Sequence, residues 1–175
     1  MSFSPTYAAD AKVSVLSLTG SNTATLASNP HIYTIAGTPV PSGVSIVDSG
    51  AAIQLEENRN YYLEASTAMA WEGTVAGSSL ETAIVSFYDV TNSANIGQPI
   101  TWSIVDNSGN YLEFSRVNEK GAYIARAFIL SSDISGSSLK VQVRATISSN
   151  TANWLLDPHS TYGHLGNCLL TIWEV

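Results

Sequence analysis

The chain has one cysteine, Cys168, so no disulfide can close within it. Basic residues are scarce: seven Lys and Arg stand against fourteen Asp and Glu, a formal net charge of −7. Non-specific binding to nucleic acid or to an anionic membrane needs clustered Lys and Arg, so neither partner is expected. The acidity reads as a solubility device. No run approaches the ~18 consecutive apolar residues of a membrane-spanning helix. Met1–Tyr7 has neither a basic n-region nor an apolar h-region, and no Asn-x-Ser/Thr sequon occurs. The expectation is a chain made in a cytoplasm and soluble there, without a secretory signal.

Catalytic text is missing too. There is no Gly-x-Ser-x-Gly elbow, no phosphate-cradling Gly-Lys-Ser/Thr loop, no Gly-x-Gly-x-x-Gly and no His-Glu-x-x-His. Glu56 and Glu57 are neighbours in a polar turn, where alternating faces separate their carboxylates, so they make a poor acid/base pair. An enzyme is not expected. Asp157, His159 and His164 are metal-ligand types on one stretch, but their spacing fits no zinc pattern. Cys168 beside them reads as a small inward-facing apolar residue. Hence no metal and no cofactor is expected. Trp71, Trp102 and Trp154 are suited either to core packing or to stacking on a sugar, and packing is the commoner use.

Charged residues make up only 12% of the chain, against about 25% in an average domain. Ser and Thr fill the polar role, 40 of them in 175 residues. A chain of this length supports one hydrophobic core without disulfides. Such a composition favours strands and turns over helices.

Period-2 alternation is plain in two places. Leu139, Val141, Val143, Ala145 and Ile147 alternate with Lys140, Gln142, Arg144 and Thr146, which predicts an antiparallel strand with one wet face. Tyr61–Trp71 predicts a second, long strand. Further strands are expected at Ile32–Ala36, Val44–Val47, Ala51–Glu56, Leu80–Val90, Pro99–Val105, Tyr111–Val117, Ala122–Leu130 and Cys168–Val175. Thr91–Gln98 reads as a turn, and Ser148–Asn167 as a long loop. The whole predicts an all-β antiparallel sandwich. Residues 32–175 form the expected domain. Residues 1–31 form an N-terminal arm or first strand, with Phe3, Tyr7, Val13, Val15 and Leu16 as the apolar residues that would dock on a partner.

Three strands are apolar on both faces: Leu80–Val90, Ala122–Leu130 and the C-terminal one. In the last, Cys168, Leu170 and Ile172 share one face, while Leu169, Trp173 and Val175 share the other. One core explains one apolar face, and a subunit contact explains the second. Leu169, Trp173, Val175 and Tyr62 are therefore the expected subunit interface. Ala68 and Ala70 would enlarge it if that strand is a neighbour.

The strand order, with Tyr-Tyr-Leu-Glu-Ala at Tyr61–Ala65, Ala122–Leu130 and the C-terminal strand, resembles the TNF/C1q-like jelly roll over residues 32–175. That resemblance implies a chain ending on an inner-sheet strand near a trimer axis. The Ser/Thr/Asn-rich, Cys-poor, sequon-free texture resembles bacteriophage virion proteins. It implies a trimeric capsid decoration (cement) protein that binds a major capsid protein or another virion protein, located in a virion assembled in the host cytoplasm. The alternative is a tail-fibre tip or receptor-binding module recognising a host-surface glycan or protein.

Overall fold

The computed structural model describes residues 12–20, 30–68, 70–72, 80–105, 123–147, 153–156 and 168–175. In chain order the strands are β1 (Val13–Thr19), β2 (His31–Ile32), β3 (Thr34–Ala36), β4 (Val44–Val47), β5 (Ala52–Glu56), β6 (Tyr61–Thr67) and β7 (Ala70–Glu72). They continue as β8 (Leu80–Asp89), β9 (Ala94–Val105), β10 (Tyr123–Ile129), β11 (Ser138–Ile147), β12 (Asn153–Leu155) and β13 (Cys168–Glu174). Among the described residues, helical structure is confined to two three-residue 3-10 turns, Asp48–Gly50 and Ser131–Asp133.

All the pairings are antiparallel. One sheet runs β3-β1-β13-β6-β10 and the other β9-β8-β11-β5-β4, with β2 added beside β11. The short β7 and β12 pair separately. The fold is the all-β antiparallel sandwich that the alternation predicts, in the jelly-roll arrangement that the resemblance implies. Along one edge it approaches a closed barrel, because β10 and β9 meet through a single register pair, Arg126 with Gln98.

The burial pattern follows the pleat. In β11, Leu139, Val141, Val143, Ala145 and Ile147 are buried, while Lys140 and Arg144 are half-buried and Thr146 is exposed. In β13, Cys168, Leu170 and Ile172 are buried against the core. Burying one Leu or Ile side chain fully stabilises the fold by roughly 1.5–3 kcal/mol. β13 is bonded on both edges, to β1 on one side and β6 on the other. Its end is pinned as well: the Glu174 N–H donates to the Lys12 carbonyl at 3.1 Å, and the Val175 N–H to the Asn60 carbonyl at 3.0 Å. Across the sandwich, the buried Tyr61 hydroxyl donates to the Gly43 carbonyl at 3.0 Å, tying β6 to the turn before β4. Burial pushes the Tyr61 phenol above its ordinary value.

Several expectations need correction. Of the two readings of the N-terminal residues, arm or first strand, Val13, Val15 and Leu16 follow the second. They lie in β1, which pairs with both β13 and β3. Leu16 is 1% exposed and sits in the core, so it is not available to an external partner. A domain boundary at residue 31/32 would therefore cut β1 from its sheet and split β2. Phe3 and Tyr7 lie outside the described residues, as do Tyr111–Val117, Asp157, His159 and His164. The long strand from Tyr61 stops at Thr67, and the backbone of Trp71 pairs instead with Trp154 in β12, inside the stretch read as loop. β9 begins at Ala94, well before Pro99. Between its pairs Ile96–Phe87 and Ile100–Val85, three residues oppose the single Ser86, a special bulge. Asn95 and Gly97 gave this segment the composition of a turn. Pro99 is tolerated there because the bulge takes its backbone out of the regular ladder.

Gly97 is the residue that makes the bulge feasible. Its φ is +72°, in the left-handed region. A Cβ at this position would collide with the Arg126 carbonyl oxygen and come within 2.6 Å of the Ala127 Cα. Gly97→Ala should therefore destabilise the protein by at least about 2 kcal/mol, combining backbone strain with overpacking. Urea denaturation should read this as a lower midpoint with an unchanged slope.

Candidate interaction face

The outer face of the β3-β1-β13-β6-β10 sheet carries the most unusual surface among the described residues. Register places its side chains in rows across four strands. The first row is Val13, Trp173, Tyr62 and Phe128. The second is Val15, Thr171, Glu64 and Arg126. The third is Ser17, Leu169, Ser66 and Ile124. The first row is thus apolar or aromatic at every position, the second largely polar, the third mixed.

Exposure bears this out. Phe128 is 57% exposed, Val15 61%, Leu130 44% and Val175 61%. These are four of the seven large apolar side chains that stand exposed among the described residues. An apolar surface gathered on one face, instead of scattered, marks an interaction site. The Trp173 and Tyr62 rings are in contact, with centroids 5.2 Å apart and planes tilted by 38°. Such a pair presents a rigid aromatic platform.

The polar row is internally satisfied. Glu64 Oε1 accepts from the Tyr62 hydroxyl at 2.8 Å and from Arg126 Nε at 3.1 Å. An exposed Arg–Glu pair contributes only about 0–1 kcal/mol by itself. Its larger effect is to leave no bare charge if the face is covered. The Glu64 carboxylate also holds the Arg126 guanidinium further toward its charged form.

The sequence-predicted residues Leu169, Trp173, Val175 and Tyr62 all fall on this face. Trp173 and Tyr62 are in ring contact, Leu169 lies two rows away, and Val175 follows the end of β13. Ala68 does not enlarge the patch, because β6 has ended and Ala68 packs toward the core. Ala70 belongs to β7, outside this sheet. Phe128 and Leu130 are the contributors that the sequence reading left out of the interface. Their signal was the two-faced pattern of residues 122–130. Val13 and Val15, read as arm residues, share the face too. Cys168 lies behind it, buried, with its thiol accepting from the Ala68 N–H at 3.2 Å.

No known protein family's sequence profile matches the chain. No curated protein sequence matches it either. Among solved structures, it is similar in strand arrangement to murine APRIL, with 13% identity over 94% of this chain and 100% of that one, at a TM-score of 0.45. It is also similar to Eiger, a TNF from S. frugiperda, with 7% identity over 94% of this chain and 93% of that one, at a TM-score of 0.48. At these values the likeness is one of strand arrangement and transfers no residue's role.

The Tyr62–Glu64 contact has a pH signature. The Tyr62 phenol lies above its ordinary value, first because its hydroxyl donates to Glu64 and then through partial desolvation. Ionising it would break that bond and set a phenolate beside a carboxylate. A folded value above the unfolded one means that the stabilisation is present in full below the ordinary phenol range, about pH 10, and is lost as pH rises through the folded value. Carbon-13 NMR of the Tyr62 ring should show its ionisation at higher pH than that of tyrosines in the denatured chain. Glu64→Gln, which removes the charge, should bring it down.

Proposed function

We propose that this chain is a non-enzymatic virion structural protein: a homotrimer that decorates and stabilises a bacteriophage head shell. The observation that carries the oligomer is the first row of the interaction face. Val13, Trp173, Tyr62 and Phe128 form a continuous apolar band across four strands, and water is a poor partner for it. Packing the same face of three copies around one axis would cover every member of the band. The Arg126–Glu64–Tyr62 contacts would be covered in an already bonded state. The shell assignment rests on the Ser/Thr-rich, low-charge composition and on the apolar Phe3 and Tyr7 at the start of the chain. In this reading those residues dock on the major capsid protein or a neighbouring virion protein, where their apolar side chains leave water. The protein would reside in the virion after assembly in the host cytoplasm.

Size-exclusion chromatography with light scattering tests the oligomer. The wild type should run as a trimer at micromolar concentration. Trp173→Ala should shift it toward monomer, since losing a packed Trp ring costs on the order of 3–5 kcal/mol per subunit. A wild type that runs as a monomer refutes the trimer.

The shell role has a separate test. Deleting residues 1–10 should leave the oligomer intact and abolish its incorporation into particles, scored by electron microscopy of purified heads. Full occupancy by the truncated protein would show that the N-terminal residues are not the anchor.

A further inference from the structure

The opposite side of the sandwich carries a different kind of site. On the outer face of the β9-β8-β11-β5-β4 sheet, a cleft of about 230 Å³ is lined by Pro30, Ser86, Tyr88, Asn95, Arg144 and Thr146. The β9 bulge shapes it. Ser86 is the β8 residue with no register partner on β9, and the strand swings away opposite it. The Ser86 hydroxyl then donates to Asn95 Oδ1 at 3.2 Å, leaving the Asn95 amide nitrogen as a further donor.

Arg144 is the chemical centre of this cleft. It lies opposite Ser86 and diagonal to Tyr88, which faces Gln142 in the register. Its guanidinium carbon lies 3.3 Å from the centroid of the Tyr88 ring. Its Nε donates to Gln142 Oε1 at 2.8 Å, and Gln142 is itself 7% exposed. One face and one edge of the guanidinium are thus fixed, and the two terminal nitrogens remain. Of the three arginines among the described residues, Arg59 and Arg126 each face a carboxylate. Among the described residues Arg144 faces none, and no described Asp or Glu lines the cleft.

A guanidinium held by stacking and by its Nε is ready to take a planar carboxylate in a two-point contact, without losing much side-chain freedom on binding. The remaining lining is made of hydroxyl and amide groups, with an aromatic ring and a proline beside them. Hydroxyls and amides match the hydroxyls of a sugar, and a ring flanked by proline offers it an apolar wall. We infer that the Arg144 cleft binds an acidic sugar residue of the uronic or sialic type, with the carboxylate on Arg144 and the ring hydroxyls on Ser86, Asn95 and Thr146. This goes beyond the shell reading and does not rest on it. The cleft and the apolar face lie on opposite outer surfaces, so trimer formation through that face leaves the cleft open.

The test is a proton–nitrogen NMR titration of the full-length protein with glucuronate, and in parallel with glucose, acetate and inorganic phosphate. Glucuronate should shift the amides of residues 86–88, 95 and 142–146. Glucose and acetate, each carrying half of the recognition, should bind at least about tenfold more weakly. Arg144→Gln should weaken glucuronate binding at least about tenfold, the loss expected for a charge-assisted pair of hydrogen bonds. If Arg144→Gln fails to fold, Asn95→Asp serves instead: it sets a carboxylate in the cleft from an exposed position and should abolish glucuronate binding. The inference is overturned if glucuronate moves nothing at tens of millimolar, or if glucose binds as well as glucuronate. It is equally overturned if acetate or phosphate binds as tightly, which makes the site one for small anions, or if the folded variants bind unchanged.

Discussion

The structure depends on a three-residue bulge. Where β9 places Gly97, Gln98 and Pro99 opposite Ser86, the strand leaves the regular ladder with β8 and turns its edge toward β10. Gln98 then reaches Arg126, and two sheets that would otherwise only stack become continuous along one side. The left-handed backbone of Gly97 and its close approach to β10 are what allow this. Both outer surfaces feel the consequence. On one, the bulge opens the space beside Ser86. On the other, it fixes the backbone of Arg126, whose side chain joins Glu64 and Tyr62. A local backbone irregularity, not a long-range side-chain contact, links the two surfaces.

Those surfaces have opposite characters. The β11 side offers Lys140, Arg144 and Thr146, all able to bond with water, with Gln142 buried beside Arg144. The β13 side offers Trp173, Tyr62, Phe128 and the flanking valines, which gain by losing water. The sandwich therefore has a polar front and an apolar back. With few charged residues in the chain, the distinction rests on which face each aromatic and each aliphatic residue occupies. A one-residue slip in the register of β13 would send Trp173 into the core and bring Ile172 out. Pairing on both edges of that strand holds the register.

Much of this was readable from alternation alone. The pleat of Leu139–Ile147 appears in the structure with its core face as expected, because a strand between a core and water writes its environment into every second residue; on the other face only Gln142 is covered. The two-faced pattern of Cys168–Val175 likewise reflects a strand interior to its sheet. Periodicity fails where the partner changes while the alternation continues. Tyr61–Trp71 keeps its rhythm past Thr67, yet its hydrogen bonds pass from β10 and β13 to β12. It fails again at β9, where Asn95 and Gly97 are turn-forming residues used inside a strand. Val13–Leu18 was readable as a strand, but its partner β13 lies some 150 residues away, and nothing local reveals that pairing. The Arg144 cleft needs the diagonal between β8 and β11, and a diagonal exists only once the register is known. The row of Val13, Trp173, Tyr62 and Phe128 is hidden for the same reason: its members come from four distant segments.

The position of β13 also has a consequence for how the molecule comes into being. Until Glu174 has left the ribosome, the sheet that contains β13 exists only as two fragments, β3 with β1 and β6 with β10. Each presents an open strand edge with a largely apolar inner face. Contacts between residues so far apart in sequence form slowly, because a long loop must close before any pairing rewards it. During synthesis the nascent chain therefore displays two unpaired edges of the kind that capture other chains. β13 then converts both edges at once into the interior of a sheet.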